Sequence, residues 1–105
     1  MESLAIYKTI KETIQSNLPE SRVVLFGSRA RGNHDHLSDY DLLVITPSNF
    51  TPQEKVRWST RLDRAIIKAI KVPVDLLLSS EDEIKWQREL PGHIVRTALR
   101  EGIAL

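Results

Sequence analysis

Apolar residues along this chain follow two kinds of spacing. From Leu4 through Tyr7, Ile10 and Ile14 to Leu18 they recur at helical intervals, which predicts a helix over 2–18 that ends before Pro19. The contiguous run Val23 to Phe26 predicts a strand over 22–27, followed by a short helix or turn at 28–32 and a polar loop from Asn33 to Leu37. A second run, Leu42 to Ile45, predicts a strand over 39–46 that Pro47 stops. Thr51-Pro52-Gln53-Glu54 has the form of a capping box with proline in the first turn. It starts a helix running to about Ile70, with Trp58, Leu62, Ala65, Ile66 and Ala69 as its core stripe. Residues 72–79 predict a third strand, and Pro73 near its start suits a sheet edge or a strand's first residues. Ser80-Glu81-Asp82-Glu83 is a second capping box, Pro91-Gly92 breaks the helix it begins, and a last helix over 93–101 stops at Gly102. This order of elements predicts an α/β fold in which a small sheet packs against helices.

Composition narrows the class without naming a function. A chain of 105 residues is expected to form a single domain, 1–105. Its 41% hydrophobic content is enough for a modest core, which excludes a disordered chain. There is no apolar stretch of membrane-spanning length, and acidic Glu2 does not suit a secretory leader. The absence of cysteine removes disulfides and thiolate metal sites and is compatible with a cytoplasmic location. A net charge of +1 gives little bulk attraction for nucleic acid, so direct nucleic-acid binding is not expected.

The chemistry concentrates in residues 27–41, Gly-Ser-Arg-Ala-Arg-Gly-Asn-His-Asp-His-Leu-Ser-Asp-Tyr-Asp. Gly27 and Ser28 stand where a strand turns into a short helix, and the free N–H groups of such a turn favour phosphate. Asp39 and Asp41 are two positions apart at a strand mouth, so alternation sends both carboxylates to one face. Carboxylates aimed at one point repel unless a cation lies between them, and hard oxygen donors suit Mg²⁺ bound beside a polyphosphate. A phosphate seat and a divalent-metal seat on adjacent strands point to a nucleoside triphosphate. The Gly-x4-Gly-Lys-Ser/Thr pattern of a P-loop is absent.

Ten residues separate Ser28 from Asp39, and the combination resembles the Gly-Ser-x10-Asp-x-Asp signature of the polymerase-β-like nucleotidyltransferase superfamily. The chain looks like a member of its smallest branch, the minimal nucleotidyltransferases (MNT proteins). The likeness extends over nearly the whole chain and includes Ser38-Asp39, Gly32 and Val74-Asp75-Leu76. It implies a mixed sheet and makes Asp75 the third catalytic carboxylate; the residues alone leave open that Asp75 is a solvated edge-strand residue. It further implies that Asp39, Asp41 and Asp75 hold two Mg²⁺ ions and that ATP is the substrate. Gly27 and Ser28 would then hold the leaving pyrophosphate, with Arg29 favoured over Arg31 to neutralise it. The partner implied is a helical HEPN-family ribonuclease toxin, with the MNT protein acting as antitoxin by transferring AMP to a tyrosine. A binding-only antitoxin acting by occlusion, and transfer to a small-molecule hydroxyl, remain the alternatives.

Other features weigh less. His34 and His36 flank Asp35, but without cysteine or a helical histidine pair a zinc site is disfavoured, and these residues read as a rim above the nucleotide. His93 reads as a surface residue and Trp86 as a core residue. Arg57, Arg61, Arg64 and Lys68 form a basic stripe opposite the core face of the long helix, solvated or available to a partner.

Overall fold

In a computed structural model, residues 2–32 and 38–105 are described; they run α1 (Glu2–Asn17), β1 (Arg22–Phe26), α2 (Gly27–Arg31), β2 (Tyr40–Thr46), α3 (Pro52–Ile70), β3 (Val74–Ser80), α4 (Glu81–Gln87), α5 (Ile94–Glu101) and β4 (Ile103–Ala104). The four strands lie in the order β3-β2-β1-β4. β1 pairs antiparallel with β2 and with β4, whereas β2 and β3 are parallel, so the sheet is mixed. The parallel join requires a crossover, and α3 supplies it.

β1 and β2 are apolar at successive positions because both faces of the sheet are covered. Val23 and Leu25 of β1, with Tyr40, Leu42 and Val44 of β2, pack against Ile10, Ile14, Leu62 and Ile66 of α1 and α3. The alternate residues Val24, Phe26, Leu43 and Ile45 pack on the other face against Ile84, Val95 and Ala98 of α4 and α5. Full burial of a Leu or Ile side chain contributes about 1.5–3 kcal/mol. Both layers are therefore needed to hold the two strands that carry the functional motif.

Both capping boxes form as expected. The Thr51 side chain accepts from the Glu54 N–H and the Glu54 carboxylate accepts from the Thr51 N–H, and Ser80 and Glu83 make the same reciprocal pair. Burial opposes charge on Glu83, but the Lys55 ammonium at 2.6 Å and the Ser80 backbone N–H outweigh it and hold its carboxyl below the usual range. α3 closes on Lys71 in the left-handed region, whose N–H donates to the Ile67 carbonyl at 2.8 Å, just ahead of Pro73.

Several expectations need correction. Leu4 is 69% exposed and Ala69 is exposed, so each lies at the margin of its helical stripe rather than in the core. Trp86 is 54% exposed, its ring meeting His93 edge-on rather than entering the interior. His93 is half-buried and caps α5, its Nδ1 accepting from the Val95 N–H at 3.0 Å. β2 begins at Tyr40 rather than Asp39, and β3 begins at Val74 because Pro73 lacks an N–H for the ladder. β4 has no counterpart among the expected elements. It follows Gly102, where a Cβ would collide with the Ala98 carbonyl and a Val24 methyl, so only glycine lets the chain leave α5 this close to β1. The loop 33–37, with His34 and His36, lies outside the described residues.

Candidate active site

The last residues of β1 and the first of β2 meet at one end of the sheet, where Phe26 pairs with Asp41. The next residue, Gly27, turns the chain into α2 with φ +74, a conformation that L side chains seldom adopt. A Cβ on Gly27 would run into the carboxylate of Asp41. The glycine thus serves two purposes, making the turn and clearing room for the acid. Ser28 follows on α2, half-buried beside it.

The parallel register of β2 and β3 sets Asp75 opposite Asp41. Alternation carries both side chains to the same face, because their neighbours Leu42, Val74 and Leu76 pack on the opposite one. Asp41 is half-buried and Asp75 exposed on the edge strand. The edge placement and the carboxylate pairing are therefore both features of Asp75.

Electrostatics marks the same spot. The Asp41 carboxyl titrates above its ordinary value, first because burial penalises its charge and then because Asp75 and Asp39 repel it; Arg31 acts in the opposite sense. Two nearby anions with a partly desolvated third are the situation that a bound cation relieves. The donors are carboxylate oxygens, which suit Mg²⁺. Among the described residues no group of three or more His, Cys, Asp or Glu is positioned to hold a metal ion. Asp41 and Asp75, paired across β2 and β3, are the carboxylates that the register itself brings side by side.

Arg29 projects from α2 onto the start of β2. Its Nε donates to the Ser38 carbonyl at 2.9 Å, its Nη1 donates to the Tyr40 hydroxyl at 3.2 Å, and the guanidinium lies 4.1 Å from the Tyr40 ring centre. Ser38 and Tyr40 flank Asp39, so Arg29 grips the chain on both sides of that carboxylate. Arg31 lies on the exposed side of α2, 3.8 Å from Glu101 of α5, and it is the arginine whose charge acts on Asp41. Alternate residues on one helical turn cannot point the same way, so the amino-acid sequence separates the two arginines, but what each one meets depends on where β2 and α5 lie.

The model of the nucleotidyltransferase domain matches residues 7–105 of the chain. A protein of Methanocaldococcus jannaschii named as a candidate protein adenylyltransferase is 42% identical over 57 residues, covering 52% of this chain. The chain spans 58% of the length of that relative. A solved candidate minimal nucleotidyltransferase superposes with a TM-score of 0.68 at 28% identity, over 99% of this chain and 94% of its own. A structure of the tri-AMPylated Shewanella oneidensis HEPN toxin with its MNT antitoxin superposes with a TM-score of 0.64 at 19% identity, over 99% of this chain and 71% of that one, a likeness of fold.

Proposed function

The chain belongs to the nucleotidyltransferase domain family, and on that premise we propose that it transfers AMP from ATP to a tyrosine hydroxyl of a HEPN-family ribonuclease toxin, acting as the toxin's antitoxin. The observation that carries this reading is the side-by-side placement of Asp41 and Asp75, with the Gly27 turn cleared for Asp41. The name of the M. jannaschii relative and the fold shared with an MNT antitoxin support the choice of a protein acceptor.

In this reading the N–H groups of the Gly27–Ser28 turn and the Ser28 hydroxyl hold the outgoing pyrophosphate. Asp39, Asp41 and Asp75 would hold Mg²⁺, which when bound neutralises the triphosphate and lowers the pKa of the acceptor hydroxyl. Arg29 keeps Asp39 in place through the Ser38 carbonyl and the Tyr40 hydroxyl. Asp75, exposed on the edge strand, faces the acceptor and takes its proton. The acceptor oxygen forms a bond to the α-phosphorus as the bond to the β-phosphate oxygen breaks, and pyrophosphate leaves. Little covalent work falls to the protein; orientation and charge placement carry the reaction.

Esterification adds a phosphate charge to the toxin, and a charge beside an RNA-cleaving site repels the RNA backbone. The test is to incubate the protein and a HEPN-family partner with Mg²⁺ and α-labelled ATP. Label and one or more AMP masses on a partner tyrosine, with ribonuclease activity still absent after the two are separated, is the expected result. An unmodified partner that recovers activity on separation would favour occlusion instead.

A further inference from the structure

We propose that the outer face of α3 is a docking surface for an acidic, extended segment of the acceptor protein, and that it leads this segment round the open edge of the sheet to Asp75. The inference rests on the transfer reading above and names how its acceptor approaches.

Arg57, Arg61, Arg64 and Lys68 recur every three or four residues along α3, and all four are exposed. A groove of about 370 Å³ between α3 and β3 is lined by Ser59, Thr60, Asp63 and Arg64 on one side and by Asp75 and its neighbours on the other. A second hollow along the helix is lined by Val56, Arg57, Thr60, Arg61 and Arg64. Thr60 and Arg64 line both, so the two form one continuous surface from the arginines to the edge of β3. The Asp75 side chain points by alternation to the face away from α3, and the groove therefore wraps the strand edge rather than ending in a pocket.

The chemistry of this surface selects its occupant. β3 is the terminal strand of the sheet, and an extended peptide is the ligand that can follow an unpaired strand edge. The chain carries a net charge of only +1, so the arginines are a local positive patch that favours acidic side chains. Val56, 66% exposed, lies among them and suits the aliphatic parts of a protein partner. RNA is disfavoured because single-stranded RNA stacks on an aromatic platform, yet Trp58 is stacked on Phe50 with ring centres 6.2 Å apart and has Arg61 5.3 Å above it. Arg61 is further occupied by Asn17, to which its Nε donates at 3.1 Å, which leaves Arg57 and Arg64 as the principal docking cations.

The test uses fluorescence anisotropy with three labelled probes: a tyrosine peptide flanked by glutamates, the same peptide flanked by lysines, and an RNA oligonucleotide of equal negative charge. Wild-type protein, Arg57→Gln/Arg64→Gln and Arg57→Glu/Arg64→Glu are compared, with Mg·ATP binding followed in parallel. The glutamine pair removes charge without placing a new anion beside Glu54. The expected result is that wild type binds the acidic peptide but not the lysine one. Affinity should fall about tenfold in the glutamine pair, fall further in the glutamate pair, and weaken with added salt, with Mg·ATP binding unchanged. RNA binding tighter than the acidic peptide, no binding of the acidic peptide to wild type, or equal binding by the glutamate pair would each overturn the proposal. Acidic-peptide binding in a protein that never transfers AMP would keep the docking surface and remove the transfer reading. Transfer to the partner with an unchanged acceptor KM in the glutamate pair would do the reverse.

Discussion

The Asp41 carboxylate occupies the space that a side chain on Gly27 would need. The two halves of the motif, far apart in the chain, are therefore locked together by sterics where β1 and β2 pair. Gly27→Ala should suffer twice. The positive φ costs about 1 kcal/mol for any L residue, and Asp41 must swing out of its position. We expect a lowered melting temperature together with loss of Mg-dependent ATP binding, read by thermal denaturation and calorimetry. A variant that melts earlier yet binds Mg·ATP normally would show that Asp41 does not need this clearance.

Much of this arrangement is legible in the amino-acid sequence itself, and the reasons are physical. The strands β1 and β2, α3 and both capping boxes are written in local patterns, apolar runs and reciprocal Thr/Glu and Ser/Glu pairs. The opposition of Asp41 and Asp75 is not local. It depends on parallel pairing across a whole crossover helix, and spacing alone leaves Asp75 as either a solvated acid or a site residue. β4 is illegible because Ile103 and Ala104 are too few to show a period, and they become a strand only by lying against β1. Trp86 reads as a core residue, yet lies half in solvent, because a short amphipathic turn does not say which side of it the sheet will cover.

Asp41 carries a charge penalty that Asn would not. Its carboxyl is raised by burial and by the charges of Asp75 and Asp39, so the folded state binds the proton more tightly than the unfolded chain. The stability this gives is present below the ordinary carboxylate pKa and is lost as pH rises through the raised value. Asp41→Asn should therefore melt higher than wild type at neutral pH in the absence of divalent ions, and the gap should close on acidification. In the same variant, and more so with Asp39→Asn added, Mg²⁺ should no longer strengthen ATP binding. If the double variant binds Mg·ATP as tightly as wild type, the metal role of these residues is wrong.

Asp75→Asn separates binding from chemistry. Its side chain is exposed on the edge strand, where the proposed acceptor would approach, so most of the ATP affinity should survive while transfer is lost, measured as kcat with saturating ATP. A change confined to KM would place Asp75 outside the reacting atoms.

Arg29→Lys keeps the charge but loses the planar fork that reaches the Ser38 carbonyl and the Tyr40 hydroxyl while stacking on the Tyr40 ring. The lost hydrogen bonds and ring contact should cost about 1–2 kcal/mol of stability. If Arg29 acts through Asp39, Mg-dependent ATP binding should weaken while ATP binding without metal stays near wild type. Equal weakening of both would instead indicate direct contact with phosphate.

The parallel pairing of β2 with β3 makes the site conditional on the integrity of one edge strand. Among the described residues β3 has a neighbouring strand on one side only, and a slip of one residue would turn Asp75 to the opposite face of the sheet. Fraying of that strand would part Asp75 from Asp41 without unfolding the rest of the molecule. Conversely, any ligand that bridges Asp41 and Asp75 acts as a staple across that pairing, and at a hundredfold excess over its Kd it contributes about 2.7 kcal/mol to the folded state. Amide exchange along residues 74–80 should therefore slow on ligand binding far more than exchange along β1.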